Sequence, residues 1–180
     1  MAPASARRAL ELWHRAECWV AVTAFGFIAI VLILDVIGRE AVGPLSRLMG
    51  ADLGATGIPA SQRLSVYALV VGSFCGVGIA TATAAHLVPR VAFGWLPAAW
   101  NDTVNRIADV VTGLFLLGVV WFGAVFVLSS MGTDLRAPIL NWPVWPFQLA
   151  IPLGFLSAAG RYLAYAVWPD LRPIPPEYQE

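Results

Sequence analysis

The sequence predicts an all-α integral membrane protein with four transmembrane helices and short interfacial helices, and three observations support this prediction. Of the 180 residues, 59% are hydrophobic and 12% are charged, and the mean hydropathy is +0.74. Soluble domains carry about 25% charged residues, and a water-soluble fold of this size has too little interior to bury so much apolar surface. Four apolar runs also reach the roughly 20 residues that a membrane-spanning helix needs. These runs lack the alternation of polar and apolar residues that a barrel strand requires.

The predicted organisation places one membrane domain, 17–168, between two short ends. Residues 1–16 are predicted to form an interfacial N-terminal helix, because Leu10 and Trp13 share a helical face and the arginines lie elsewhere. Residues 169–180 are predicted to form a polar C-terminal tail. The four spans are expected at about 18–38, 64–85, 109–130 and 145–168.

The charges that flank the first span predict its orientation. Arg7, Arg8 and Arg15 precede it, and an excess of arginine marks the cytoplasmic side of a membrane protein. Its apolar segment exceeds the roughly 7–15 residues of a cleaved signal peptide, so a retained anchor is expected. With four spans, both termini are then predicted to be cytoplasmic. In the fourth span, Pro152 is expected to produce a kink, since proline removes a helical hydrogen bond.

Two pairs of charged residues in or beside the spans are considered as candidates for function, because charges there are costly. Asp35 and Arg39 are four residues apart at the end of the first span, a spacing that allows a local ion pair. Asp109 and Arg161 are both predicted near the cytoplasmic side, in helices joined by a short loop. We expect these two residues to pair with each other for structural reasons, with a lipid headgroup as the alternative partner of Arg161.

Histidine and tryptophan residues mark the predicted ends of the spans. His86 ends the second span, where it can hydrogen-bond the last carbonyl groups and favour the negative end of the helix dipole. Trp95 and Trp142 suit the headgroup layer, in which an amphipathic ring is stable. His14 and His86 lie near the same face of the membrane, but neither lies within an apolar run, so haem ligation remains only an alternative interpretation.

Composition and motifs argue against several classes of function. The formal net charge is zero, so no basic surplus indicates a nucleic-acid partner. Cys18 and Cys75 occur singly inside apolar runs, without metal-ligand spacing. The sequence shows no Ser/His/Asp set and no glycine-rich phosphate loop. We therefore predict that this chain is not an enzyme and binds no cofactor itself.

Three segments occur in an order that is typical of one transporter family. "LDVIGREAVGPL" places Arg39 and then Pro44 after the first span, His86 closes the second span ahead of Leu96 and Pro97, and "NWPVWPFQLAIPLGF" leads into the fourth span. In this order and spacing the chain resembles the small membrane subunit, the DctQ-type small permease, of TRAP transporters. These are the tripartite ATP-independent periplasmic uptake systems of bacteria and archaea.

The resemblance implies a division of labour among three proteins in the cytoplasmic membrane and periplasm. A periplasmic binding protein captures the solute, typically one that bears a carboxylate, and a large membrane subunit holds the substrate and sodium sites. The small subunit is an immobile scaffold within the lipid bilayer. Two alternatives stay open: a self-sufficient small ion or solute transporter, and the membrane anchor of an oxidoreductase. The candidate structural or subunit-interface residues are Arg39, His86, Asp109, Arg161, Asp35, Trp95 and Trp142.

Overall fold

The computed structural model describes residues 2–51, 53–85 and 100–173. Helices dominate this part of the chain, which contains no strand apart from one isolated antiparallel bridge between Arg136 and Pro143. A π-helical turn, Gly38–Val42, follows the first helix, and a 3-10 turn, Pro169–Leu171, follows the last. The α-helices are α1 (Ala4–Ile37), α2 (Gly43–Leu48), α3 (Ser61–Ala82), α4 (Asn101–Gly132), α5 (Trp145–Gln148) and α6 (Ala150–Val167).

Four helical segments are long and apolar enough to cross a membrane, which confirms the predicted fold class. The first and third segments extend beyond both predicted limits, because helix continues into their polar flanks, whereas the second lies at Ser61–Ala82 instead of 64–85 and the fourth nearly coincides with its predicted range. In particular, α1 passes without a break through the predicted N-terminal helix, so the two form one continuous element. The placement of residues 1–16 in the headgroup layer stays a prediction. The four segments are Ala4–Leu48, Ser61–Ala82, Asn101–Gly132 and Trp145–Val167.

The four long helices pack in the order α1, α3, α6, α4. Helix α1 packs along α3, α3 along α6, and α6 along α4, whereas α1 and α4 have no extensive contact with each other. A helix in the middle of the row is more buried than one at its edge: 39% of the most apolar part of the α5–α6 segment is buried, against 17% of that of α4. The arrangement is therefore a row with two edge helices, which leaves much apolar side-chain surface outside the chain's own packing.

Close approach between the two middle helices depends on a glycine. Gly154 in α6 lies against the main chain of α3, where a Cβ atom would overlap the carbonyl oxygen of Phe74 and lie 3.0 Å from the Cβ of Phe74. Small residues at membrane helix interfaces allow backbones to approach in this way. The edge-to-face contact between Phe74 and Phe155, with ring centroids 5.6 Å apart, extends the same interface.

The fourth span is interrupted close to Pro152, the residue at which a kink was expected. Helix α5 ends at Gln148 and α6 begins at Ala150, with a turn at Leu149 between them. Pro152 has no N–H group to donate to the carbonyl of Gln148, four residues earlier, and its ring crowds that carbonyl. Tyr67 of α3 stacks on Phe147 of α5 with ring centroids 4.8 Å apart. This contact packs the short helix against its neighbour.

Candidate functional site

The largest fully buried side chain among the described residues is that of Arg161 in α6, which is only 2% exposed. Its Nη2 donates to Oε2 of Glu17 in α1 over 2.6 Å, and its Nη1 lies 3.3 Å from Oε1 of the same carboxylate. Glu17 is itself only 8% exposed. Two charges buried this far from water persist only when they are paired and hydrogen-bonded.

Three further groups complete the hydrogen bonding of this ion pair. The hydroxyl of Ser157 donates to Oε1 of Glu17 and accepts from Nη1 of Arg161. The indole N–H of Trp13 lies 3.0 Å from Oε1 of Glu17 and 2.9 Å from the Ser157 hydroxyl. The carbonyl oxygen of Gly78 in α3 accepts from Nη1 of Arg161 over 3.1 Å. We call Trp13, Glu17, Gly78, Ser157 and Arg161 the polar network.

Helical spacing brings the members of the polar network together. Trp13 and Glu17 are four residues apart on α1, and Ser157 and Arg161 are four residues apart on α6, so each pair shares one helix face. The two faces meet over Gly78, which has no side chain to separate them. A Cβ atom at Gly78 would overlap Oε1 of Glu17 and lie 2.9 Å from the Ser157 hydroxyl oxygen. The polar network therefore links α1, α3 and α6 through one point.

The predicted ion pair between Asp109 and Arg161 is wrong. Arg161 pairs with Glu17, while Asp109 of α4 pairs with Arg172, which follows the last 3-10 turn. The reason is geometric, because the side chain of Arg161 points from α6 toward α3 and α1, whereas α4 packs on another side of α6. Arg172 also donates to the carbonyl oxygen of Asn105 over 3.2 Å, so it links the end of the described chain to α4.

The predicted pair between Asp35 and Arg39 is confirmed. It lies at the end of α1, on the side of the helical row opposite the polar network. Asp35 is 2% exposed, and its Oδ1 also accepts from the backbone N–H of Ile58 over 2.9 Å. Ser61, the first residue of α3, hydrogen-bonds to the same carboxylate. A Cβ atom at Gly57 would lie 2.8 Å from Oδ1 of Asp35. The carboxylate thus holds the end of the long first loop against α1.

The two ends of the described chain meet on the other side. Oδ2 of Asp170 accepts from the backbone N–H of Ala2 over 3.0 Å and from the guanidinium of Arg7. The hydrogen bond from Ala2 and the contact with Arg7 lower the pKa of Asp170 from its ordinary value. The start of α1 and the end of α6 therefore lie on the same side of the helical row, as an even number of spans requires.

Sequence comparison identifies the family. A profile described as "Tripartite ATP-independent periplasmic transporters, DctQ component" matches residues 28–172, which is most of the chain. The chain belongs to the DctQ family. The match begins within α1 and ends at Arg172, so it includes Asp35, Asp109 and Arg161, whereas Glu17 precedes it.

One relative of this chain is named as a small permease of a TRAP transporter. The ectoine TRAP transporter small permease protein TeaB of Halomonas elongata is 23% identical over 135 residues, which are 75% of this chain. The aligned part covers 64% of the length of that relative, so this chain spans less than two thirds of it. No solved structure gives a significant match.

Three of the residues predicted for this DctQ family member, His86, Trp95 and Trp142, remain to be placed. His86 and Trp95 lie outside the described residues. Trp142 is 51% exposed, and its carbonyl oxygen accepts from the backbone N–H of Ala137 over 2.8 Å. Its place in the headgroup layer stays a prediction. Within the described ranges, no group of three or more His, Cys, Asp or Glu residues is arranged to hold a metal ion.

The sequence-based interpretation missed Glu17 as the partner of Arg161. It placed the start of the first span at Cys18 and residues 1–16 in a separate interfacial segment, so Glu17 at the start of the membrane domain was not considered as a partner. A signal was present, because Glu17 directly precedes the apolar run and lies four residues after Trp13. An arginine inside one span must be paired or reach the interface, and Glu17 is a carboxylate on the side of the membrane to which Arg161 was assigned.

Proposed function

We propose that this chain is the small permease subunit of a TRAP-type uptake transporter and acts as a rigid scaffold for a large membrane subunit. In this proposal the large subunit carries out sodium-coupled import of a solute, typically one bearing a carboxylate, that a periplasmic binding protein delivers. Membership of the DctQ family supports the subunit assignment. No cofactor is assigned to this chain, and sodium is assigned to the partner.

The observation that carries the scaffold role is the polar network. Glu17 and Arg161 join α1 to α6 across α3, so three of the four helices of the row are linked at one level. A moving element would have to break this pair, and breaking a buried pair costs about 3–5 kcal/mol. The network therefore favours a helical row that stays fixed while another protein moves.

The distribution of charge within the described helices supports a transport site outside this chain. The buried charged side chains of the described residues are already paired: Glu17 with Arg161, Asp35 with Arg39, and Asp109 with Arg172. Transporter sites for solutes and ions lie near the middle of the bilayer and use interrupted helices. The interruption at Leu149 contributes no charged group.

The proposed topology places both ends in the cytoplasm of a bacterial or archaeal cell. The structure brings the two ends to one side through Asp170 and Arg7, and the three arginines before the first apolar run favour the cytoplasm for that side. The loop between α2 and α3 then faces the periplasm, where a binding protein would deliver its solute.

Copurification with the large subunit tests the assignment. The chain is expressed with an affinity tag, alone and together with the large membrane subunit of the same transporter, and is purified in mild detergent. We expect a stoichiometric complex that survives gel filtration. If the large subunit does not copurify and transports fully without this chain, the scaffold role is excluded.

A further inference from the structure

A cavity of about 640 Å³ opens where α1 ends and α3 begins, on the side opposite the two ends of the described chain. The end of α1, helix α2, the loop 54–60 and the first turn of α3 form its walls. The buried Asp35, Gly57 and the exposed Ile139 from the loop before α5 also line it. The cavity thus lies at a membrane boundary, away from the polar network.

The walls of this cavity carry a surplus of positive charge. Three arginines line it, Arg39, Arg47 and Arg63, against one carboxylate, that of Asp35. Arg39 is already paired with Asp35. Arg63 donates to the carbonyl oxygen of Pro138 over 2.8 Å, an interaction that leaves its charge unbalanced. Within the described residues the lining therefore has two positive charges in excess, which favours an anion.

Arg47 is the cation best placed to bind a ligand. It lies in α2 with an exposed side chain, and its guanidinium has no hydrogen-bond or ion-pair partner among the described residues. A guanidinium presents a planar set of N–H donors that matches the oxygens of a phosphate group. The helix that carries Arg47 is held to the rest of the molecule by its buried residues Gly43 and Ser46, so the cation does not need an internal partner for its position.

The apolar side chains that flank Arg47 in the sequence, and that lie outside the cavity lining, indicate which anion fits. Leu45, Leu48 and Met49 are 57%, 86% and 76% exposed on and just after α2. A short helix that combines such side chains with an arginine is typical of segments at the boundary between headgroups and acyl chains. A soluble anion would gain nothing from these residues, whereas a phospholipid would contact them with its acyl chains while its phosphate reached the arginines.

We propose that this cavity binds the phosphodiester of an anionic phospholipid, with Arg47 and Arg63 as its phosphate ligands and Leu45, Leu48 and Met49 against the acyl chains. The excess of positive charge selects an anionic headgroup over a zwitterionic one, because each arginine near an anionic surface contributes about fivefold in affinity. The site is independent of the proposed scaffold role, since it uses none of the polar network.

Lipid-dependent thermal stability tests this site. The purified protein in a neutral detergent is titrated with phosphatidylglycerol, or with phosphatidylcholine of the same acyl chains, and the increase in Tm is recorded. We expect phosphatidylglycerol to act at lower concentration than phosphatidylcholine. Arg47→Gln should reduce the apparent affinity for phosphatidylglycerol about fivefold, and Arg47→Lys should retain most of it. Gln62→Trp, which fills the cavity without changing its charge, should also weaken the effect.

Arg136→Gln is the matched control, because Arg136 lies on the same side of the helical row and outside the cavity lining. Its affinity for phosphatidylglycerol should remain unchanged. Equal responses to the two lipids, or equal losses in Arg47→Gln and Arg136→Gln, would overturn the site. Glycerol phosphate provides the third arm: stabilisation by this soluble anion that depends on Arg47 and matches that of the lipid would assign the cavity to a soluble ligand instead. If Arg47→Gln fails to fold, Gln62→Trp decides the outcome.

Discussion

The guanidinium of Arg161 lies against the carboxylate of Glu17 although their helices, α6 and α1, are separated in the row by α3. Contact between them is possible because Gly78 of α3 leaves space at the crossing and supplies a carbonyl acceptor. Replacing such a pair with apolar residues can be neutral, but removing one partner leaves a buried charge uncompensated. The pair therefore specifies how three helices are arranged. The loss of stability appears when one of the two partners is removed.

Gly78→Ala should destabilise the protein far more than its nearest counterpart on the same helix. The added methyl group would overlap the Glu17 carboxylate and disrupt its contact with Arg161, at a cost on the order of 3 kcal/mol. Gly76→Ala is the control, because nothing lies within 4 Å of a Cβ atom there, and alanine is the better helix former by up to about 1 kcal/mol. Thermal unfolding in detergent measures both variants. Equal Tm values for the two alanine variants would show that the crossing does not depend on Gly78.

A double-mutant cycle on Glu17 and Arg161 should give strong coupling. Glu17→Gln and Arg161→Gln each leave one buried charge without its partner and should each destabilise by about 3 kcal/mol, while the double variant should lose less than the sum. We expect an interaction energy above about 1 kcal/mol. The parallel cycle on Asp109 and Arg161 should be additive within about 0.5 kcal/mol. The opposite ranking of the two cycles would restore the pair that the sequence suggested.

The contact between the chain ends should depend on pH through Asp170. Its pKa is lowered in the folded protein by the N–H of Ala2 and by Arg7, so the stabilisation is complete above the unfolded value of about 3.9 and is lost as pH falls through the lower folded pKa. Spin labels at Ser5→Cys and Val167→Cys, in a background without native cysteines, report the distance between the ends. The distribution should remain narrow near the unfolded value and broaden only as pH falls further, toward the lowered pKa of Asp170. Asp170→Asn should be broad throughout; a narrow distribution in that variant would exclude Asp170 as the cause.

The proposed topology predicts opposite accessibility for the two sides of the row. With Cys18 and Cys75 replaced by alanine, Ala51→Cys should react with a membrane-impermeant thiol reagent in intact cells, and Asp102→Cys should react only after lysis. Both positions are exposed, and Ala51 is preferred to Gly50 because Gly50 has a φ of +73°. The reverse labelling pattern would invert the topology.

The fold followed from local properties of the sequence, whereas the polar network did not. Runs of apolar residues determine which segments span the membrane, and Pro152 marks the interruption of the fourth span. The pair Asp35 and Arg39 was predictable because both residues lie on one helix at a fixed spacing. These features depend on neighbours in the sequence and need no knowledge of which helices touch.

The partner of Arg161 depends on helix order and rotation. The sequence places Asp109 and Glu17 on the same side of the membrane as Arg161, so depth alone does not choose between them. The choice follows from the direction in which Arg161 leaves α6 and from the space at Gly78. Many glycines occur in these spans, and the sequence alone does not distinguish Gly78 from an open position such as Gly76.

Uptake by reconstituted liposomes tests the scaffold role most directly. Liposomes are prepared with this chain, the large subunit, or both, and their interior contains no sodium. Sodium, the binding protein and a radiolabelled solute are then added outside; the solute is the one that the binding protein retains on purification. The account predicts uptake above background only when both membrane subunits are present, and a loss of that uptake in Gly78→Ala but not in Gly76→Ala. Sodium-driven uptake by liposomes that contain this chain as their only membrane protein would contradict it.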